Sequence, residues 1–388
     1  MFLTMERLGR WLPDLIVISL VLLMLFQLRK WTTAWAAARS SRWGRPLAQI
    51  VPVLLAFWLL FALVLRSARV GDLVDTWWRS WIRAGGLTAG LIIFGLFVCA
   101  LLWRRIPQPF QPGRRRLFLA ARAAVYAAPF AVTGFGMFIQ RRDYQVREID
   151  LPMPGLPREL QGLRLVQLSD IHLSPFLSEK DLLHVIGMAN ETKANIALVT
   201  GDLISNPDDP LDACLRHLST LKSDAGIWGC LGNHEAYANV EAYTAEAGAR
   251  LGIRFLRRAN VGLRFGGATL NLAGIDYERR GIPYLQGAEE LLRPDAANLL
   301  LSHNPDVFET AADQGWQGVL SGHTHGGQVN VEILHQGLNV ARFFTPYVYG
   351  LYRKPTSSIY VTRGIGTIGM PVRLGAAPEV ALIRLCAS

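Results

Sequence analysis

The hydrophobic and polar positions change rhythm once along this chain. Residues 12–28, 47–65 and 86–103 are apolar runs about as long as a bilayer core requires, and a fourth, 117–139, is broken by Arg122, Pro129 and several glycines. Arg122 lies near the start of its run, placed to snorkel to the interface. The runs lack the polar face of a core helix. Tryptophans gather at their ends (Trp11, Trp31, Trp77, Trp78, Trp81, Trp103), as an aromatic belt would place them. The pattern predicts a transmembrane domain of about four spans over 1–142. Residues 143–162, with Pro152, Pro154 and Pro157, read as a linker or strand lead-in.

From residue 163 the rhythm switches to short β-branched or Leu-rich runs alternating with helical stretches. It predicts strands at 163–168, 196–200 and 227–231, with helices near 178–190, 209–221 and 239–250. Ser178 with Asp181 three residues on is a helix-capping pair. Shorter strands follow near 253–256, 261–265, 269–274, 299–301, 359–362 and 380–385. Alternating units giving way to an antiparallel second half predict an α/β layered domain over 163–388. Open sheets of this kind hold their ligands at the carboxyl ends of strands.

Charge sharpens the division. The chain carries a formal +10, yet residues 1–147 hold 20 Lys and Arg against five acids, and the remainder holds 20 against 25. The basicity therefore flanks the apolar runs, and the mildly acidic remainder excludes a nucleic-acid surface. The loops 29–46 and 104–116 each carry five basic residues and no acid, which puts them in the cytoplasm and the chain ends and the α/β domain outside. Cys99, Cys214, Cys230 and Cys386 form no C-x-x-C pair, so neither a disulfide framework nor a zinc ribbon is signalled.

Chemistry concentrates in five short stretches, each after an apolar run: Ser169-Asp170-Ile171-His172, Gly201-Asp202, Gly232-Asn233-His234-Glu235, Ser302-His303-Asn304 and Gly322-His323-Thr324-His325. Five of the eight histidines fall in them, where random placement would scatter them. Phosphate esters resist attack because their anionic oxygens repel nucleophiles. Two divalent cations about 3.5–4 Å apart neutralise those oxygens and lower the pKa of a water. Such a centre needs a carboxylate that can bridge and mixed nitrogen and oxygen ligands, which Asp170, His172, Asp202, Asn233, His303, His323 and His325 supply. Taken singly, Asp202 reads as a helix cap and His303 as a turn residue; five such coincidences in one order do not. His184, His217 and His335 lie outside the motifs and read as surface or packing residues. Glu235 reads as a supporting or capping carboxylate. Solvated surface is the default for Arg342, Arg353, Arg363 and Arg373. Core packing is favoured over a lipid-facing rim for Phe343, Phe344, Tyr347, Tyr349 and Tyr352.

The ordered set D-x-H, GD, GNHE, H and GHTH resembles the calcineurin-like metallophosphoesterases over about 160–388. His325-Gly326-Gly327-Gln328, Arg363-Gly364-Ile365-Gly366-Thr367 and Pro378-Glu379 look like the membrane-associated bacterial branch of that family, the group similar to YkuE and YaeI. The resemblance implies a four-layer αββα sandwich. It also implies two divalent metal ions, manganese foremost, with Fe, Zn, Co or Mg as alternatives that mixed N/O ligands also suit. Asp170, His172 and His325 would bind the first ion and Asn233, His303 and His323 the second, with Asp202 bridging. His234 would act near the leaving oxygen as general acid or phosphate stabiliser. Two departures narrow the substrate. Leu203-Ile204-Ser205-Asn206 follows Gly201-Asp202 where protein phosphatases of the superfamily carry V-D-R-G, and His234-Glu235 stands where the soluble lipid A pathway hydrolases carry GNRD. The expectation is a multi-pass enzyme of a bacterial inner membrane, its catalytic domain on the outer face, with the bilayer as partner. Its substrate would be a phospholipid-like phosphodiester or pyrophosphate. The alternative is a non-enzymatic metal-binding membrane scaffold or sensor.

Overall fold

The computed structural model describes residues 18–34, 44–65, 74–106, 112–279, 283–333 and 336–388. The chain divides into two compact units, Met1–Met137 and Phe138–Ser388. Of the predicted features, the start of the first apolar run (12–17), parts of the basic loops and His335 lie outside the described residues.

The first unit contains helices at 18–34, Gly44–Val64, Thr76–Trp103 and Pro112–Phe138. Thr76–Trp103 starts well ahead of the run at 86 because Asp75 caps it, its side chain accepting from Trp77 N at 2.9 Å. Leu25, Leu59 and Ile93 form a small shared core, and Trp58 Nε1 donates to Ile82 O at 3.2 Å. Two helices, Thr76–Trp103 and Arg116–Arg142, are long and apolar enough to cross a membrane. Only 28% and 6% of their apolar windows are buried, so neither is the core helix of a globular domain. A further apolar stretch, Gln49–Ala62, lies within the helix Gly44–Val64. By length and composition, two of the about four predicted spans are found among the described residues.

Among its described residues the second unit holds fourteen strands. They are β1 (Gln145–Met153), β2 (Arg164–Leu168), β3 (Ile196–Thr200), β4 (Ile227–Cys230), β5 (Ile253–Phe255), β6 (Ala259–Phe265), β7 (Ala268–Gly274), β8 (Ala297–Leu301), β9 (Gly318–Ser321), β10 (Asn330–Ile333), β11 (Gln336–Asn339), β12 (Gly350–Lys354), β13 (Ser357–Val361) and β14 (Glu379–Ala387). One six-stranded sheet runs β1-β14-β2-β3-β4-β5, a second β12-β13-β9-β8-β7-β6, and β10-β11 is a hairpin. β2 to β5 are mutually parallel, as are β7, β8 and β9, whereas β14 pairs antiparallel with β2. The stretch at 145–153, read from sequence as part of a linker or strand lead-in, forms β1, parallel to β14. An edge strand tolerates the missing N–H of Pro152.

Alternation along the strands sorts the core into layers. Leu165, Leu198 and Ile383 of the first sheet meet Leu272, Leu299 and Leu320 of the second. The opposite faces of the first sheet, through Val166 and Val199, pack on Leu182 and Leu215 of the helices Glu179–Glu191 and Leu211–Leu218. Leu300, Val319 and Ile359 carry Phe308 of Phe308–Gln314 on the far side of the second sheet. The result is an α/β domain with mixed sheets, helices outside and the sheets face to face.

One surface assignment changes, and one core assignment holds in part. Arg373 is fully buried: its Nε donates to Gly366 O at 3.0 Å, and Nη1 to Arg363 O and Ala376 O at 3.0 Å each. Those carbonyls, rather than water, solvate the guanidinium. The aromatic cluster splits, with Tyr347 buried edge-on against Phe308 and Phe343 85% exposed.

Candidate metal centre

Every motif residue sits just past the carboxyl end of a strand. Asp170 and His172 follow β2, Asp202 follows β3, Asn233 and His234 follow β4, His303 follows β8, and His323 and His325 follow β9. The two sheets therefore deliver side chains from opposite sides into one place. Buried Gln167 ties the delivering ends together, its Nε2 donating to Thr200 Oγ1 at 2.8 Å and Ser321 O at 3.1 Å.

The turns are tight. Asp170, His172, Asp202, His323 and His325 all have left-handed backbones, with φ of 51°, 48°, 55°, 75° and 53°. Such conformations cost on the order of 1–3 kcal/mol each and persist only where surroundings enforce them. Here hydrogen bonds enforce them. Asp170 N donates to Gly201 O at 3.0 Å, His172 N to Asp202 O at 3.0 Å, and His323 N to Asp170 Oδ1 at 2.9 Å. Glu235, wholly buried, accepts from the N–H groups of Gly232, Asp202 and Leu203 at 2.7, 3.0 and 2.7 Å. It is the supporting carboxylate that its sequence position suggests. The glycines of the motifs answer to space: a Cβ on Gly322 would lie 2.1 Å from Ser169 Oγ, and one on Gly232 would lie 2.2 Å from Asp202 Oδ1.

Two groups of ligand atoms result. Those of Asp170, His172, Asp202 and His325 lie within 4.8 Å of one another, as do those of Asp202, His303 and His323. Asp202 belongs to both. Its Oδ2 is 3.6 Å from His172 Nε2 and 3.1 Å from His303 Nε2, and its Oδ1 accepts from His234 N at 2.9 Å. His325 Nε2 lies 3.1 Å from His172 Nε2 and 3.4 Å from Asp170 Oδ1. Asn233 is buried beside them with Oδ1 lacking a hydrogen-bond partner. His234 Nδ1 lies 2.7 Å from Ser205 O, which leaves its Nε2 as the outward nitrogen.

Second contacts fix tautomers. His303 Nδ1 lies 2.7 Å from Thr200 O, and His172 Nδ1 lies 3.1 Å from Ile204 O. Each carbonyl favours a proton on Nδ1 and turns Nε2 toward the cluster. Burial pushes His172 down to about 3, His323 to about 4 and His325 well below the ordinary histidine value, so these rings are neutral donors. Burial also opposes the charge on His303, but Asp202 and Asp170 outweigh it and hold that imidazole up to about 10. Burial raises Asp170 to about 6 against the pull of His303. For Asp202 burial acts upward too, yet His303 and His172 keep it well below the usual carboxylate range.

This donor set fits divalent cations. Buried carboxylates call for positive charge, the neutral rings converge on them, and His323 Nδ1 and Asn233 Oδ1 are buried atoms with no hydrogen-bond partner.

Residues beyond the motifs also line the centre. Tyr277 lies 5.6 Å from the His323 ring and 6.3 Å from that of His303. Tyr237 lies 5.8 Å from His234 and 6.3 Å from Tyr277, with the Arg279 guanidinium 5.5 Å above it. Asn304 Nδ2 anchors this loop by donating to Glu278 O at 3.0 Å. Two signals mark them in the sequence: Tyr277 follows β7 as the ligands follow their strands, and Tyr237 is three residues past His234 on one short helix. Of the histidines outside the motifs, His217 pairs with Glu179 at 2.6 Å and His184 is an exposed ring against Tyr144.

Residues 163–327, which include all eight motif residues named above, match the family model described as calcineurin-like phosphoesterase. The chain is 29% identical over 284 residues to the uncharacterized metallophosphoesterase YkuE of Bacillus subtilis, covering 70% of this chain and 97% of that one. It is 31% identical over 277 residues to a transmembrane protein with metallophosphoesterase domain of Danio rerio, covering 68% and 62%. It is 29% identical over 248 residues to an uncharacterized metallophosphoesterase of Helicobacter pylori, covering 62% and 64%. The chain thus spans nearly all of the first relative and under two thirds of the length of the other two.

Proposed function

The C-terminal part of this chain belongs to the calcineurin-like phosphoesterases, and from that premise we propose that the protein hydrolyses a phosphodiester or pyrophosphate bond of a lipid-linked substrate at a bacterial membrane. One observation carries the reading: Asp202 is shared by two ligand groups drawn from both sheets. Asp170, His172 and His325 would hold one divalent ion, and Asn233, His303 and His323 the other. Two such ions, manganese foremost, neutralise phosphate oxygens and lower the pKa of water. The protein's own groups do the rest. His234, with Nδ1 against the Ser205 carbonyl, is oriented to deliver a proton from Nε2 to the departing oxygen. Tyr277, Tyr237 and Arg279 form a wall that would receive the leaving group and a second anionic charge.

Anchoring by the apolar helices puts this chemistry beside lipid, and the basic loops favour the outer face. Both are open to direct test. The purified chain loaded with Mn²⁺ should cleave a chromogenic phosphodiester and at least one member of a lipid pyrophosphate and phosphodiester panel, and chelation should abolish both. Intact lipids and an intact chromogenic ester after manganese loading would sink the reading and leave a metal-binding scaffold. A reporter fused at the C-terminus reads the side of the membrane.

A further inference from the structure

We propose that the helical unit carries a site for the phosphate of an anionic phospholipid, distinct from the metal centre. Helices 18–34, Thr76–Trp103 and Pro112–Phe138 enclose a cavity of about 550 Å³. Its walls are apolar, through Leu28, Ala34 and Ala100, which suits acyl chains and not a soluble anion. Positive charge enters through Arg104 and Arg122 beside the hydroxyls of Thr32 and Tyr126, and no acidic residue stands among the described residues that line it. Both cations are held against aromatic faces: Arg104 lies 4.5 Å over Trp31 and Arg122 lies 5.8 Å from Tyr126.

A second, independent feature points to a ligand. Trp103 lines the same cavity and is 8% exposed, and its buried indole Nε1–H has no hydrogen-bond acceptor. A donor without an acceptor in an apolar pocket is costly unless something supplies an oxygen. A lipid phosphate does so, and its negative charge suits two guanidiniums while its chains suit the walls. Basic pockets between membrane helices recognise headgroups in this way. The inference rests on the placement of these helices in a bilayer and not on hydrolysis. Membrane fractionation reads the first, phosphodiester cleavage the second, and lipid binding neither.

Native mass spectrometry of the full chain in detergent, titrated with phosphatidylglycerol and phosphatidylcholine, tests it. Two arginines near a headgroup predict retention of phosphatidylglycerol about tenfold over phosphatidylcholine. Arg104→Gln with Arg122→Gln should bring the two lipids to parity. Arg105→Gln with Arg116→Gln, which removes the same charge elsewhere on the unit, should preserve the preference. Trp103→Phe, which deletes only the N–H, should reduce retention about two- to threefold and guards against misfolding of the double variant. No lipid preference in the wild type, equal loss in the charge-matched control, or full retention in Trp103→Phe would overturn the site. Competition by inorganic phosphate as effective as by phosphatidylglycerol would do so as well, since the pocket would then take a free anion.

Discussion

The metal centre has two unlike sides. Toward the protein interior, Asp170, His172 and His325 are at most 4% exposed, and backbone groups behind them are bonded in every direction. His325 O and Gly366 O are among the carbonyls gathered by Arg373, and Gln328 Nε2 donates to Ile368 O and Met370 O at 3.0 and 2.9 Å. Toward the outside, His234, His323 and Tyr277 are half-buried, and Tyr237 is 57% exposed. The inner side is sealed around its ligands, and the outer side, where the ligand His323 lies, meets substrate. Substitutions should therefore separate into those that change metal content and those that change turnover alone.

Asp202 belongs to both sides and should give the largest effect. Asp202→Ala is expected to lower kcat by at least about a thousandfold, since it removes the group shared by both ligand sets. Metal analysis of the same protein should find fewer than two ions per chain. Full metal content with residual activity above a tenth of wild type would erase the distinction, because a shared carboxylate cannot be dispensable.

His234→Ala tests the outer side by itself. General acid catalysis contributes about 10²–10⁴-fold, so kcat for a substrate with a poorly acidic leaving group should fall by about a hundredfold. A nitrophenyl leaving group needs no proton and should lose far less. Metal content should stay at the wild-type value, since His234 Nδ1 engages Ser205 O. Equal losses for good and poor leaving groups would move His234 from proton donor to phosphate stabiliser.

Glu235→Ala tests the inner side through a residue that touches no ion. It leaves three buried N–H groups without acceptors and releases the strained turn at Asp202. Residues that orient ligands typically alter metal affinity 10–100-fold. Manganese titration of activity should therefore shift rightward by about that factor, with kcat recovered at saturation. A loss of kcat that excess metal does not restore would place Glu235 in the reaction.

The difference between the sides also explains what the sequence could and could not disclose. The inner side is made of residues whose identity is dictated by chemistry and turn geometry, so Gly201-Asp202 or Gly322-His323-Thr324-His325 stands out unaided. β2, β3 and β4 were equally plain, because a buried parallel strand is an unbroken apolar run. β1 is partly masked by Pro152 and Arg373 by its charge: a cation solvated by carbonyls from distant loops leaves no local pattern. β10, β11 and β12 carry no clear alternation and depend on tertiary partners. In the helical unit, composition disclosed the apolar character but not helix ends, which Asp75 set by a cap outside the run.

Tyr277 gives the smallest and most discriminating effect. It contacts the ligands through ring packing, at 5.6 Å from His323 and 6.3 Å from His303. Aromatic pairs contribute about 0.5–1.5 kcal/mol beyond burial, so Tyr277→Ala should raise KM about two- to tenfold for a substrate whose leaving group reaches the wall. A minimal phosphodiester too short to reach it should show no change, and metal content should not move. Tyr277→Phe should retain wild-type KM if stacking is the contact. If instead the phenylalanine variant loses kcat while KM holds, the hydroxyl acts in the transition state, and the outer side contributes to chemistry as well as recognition.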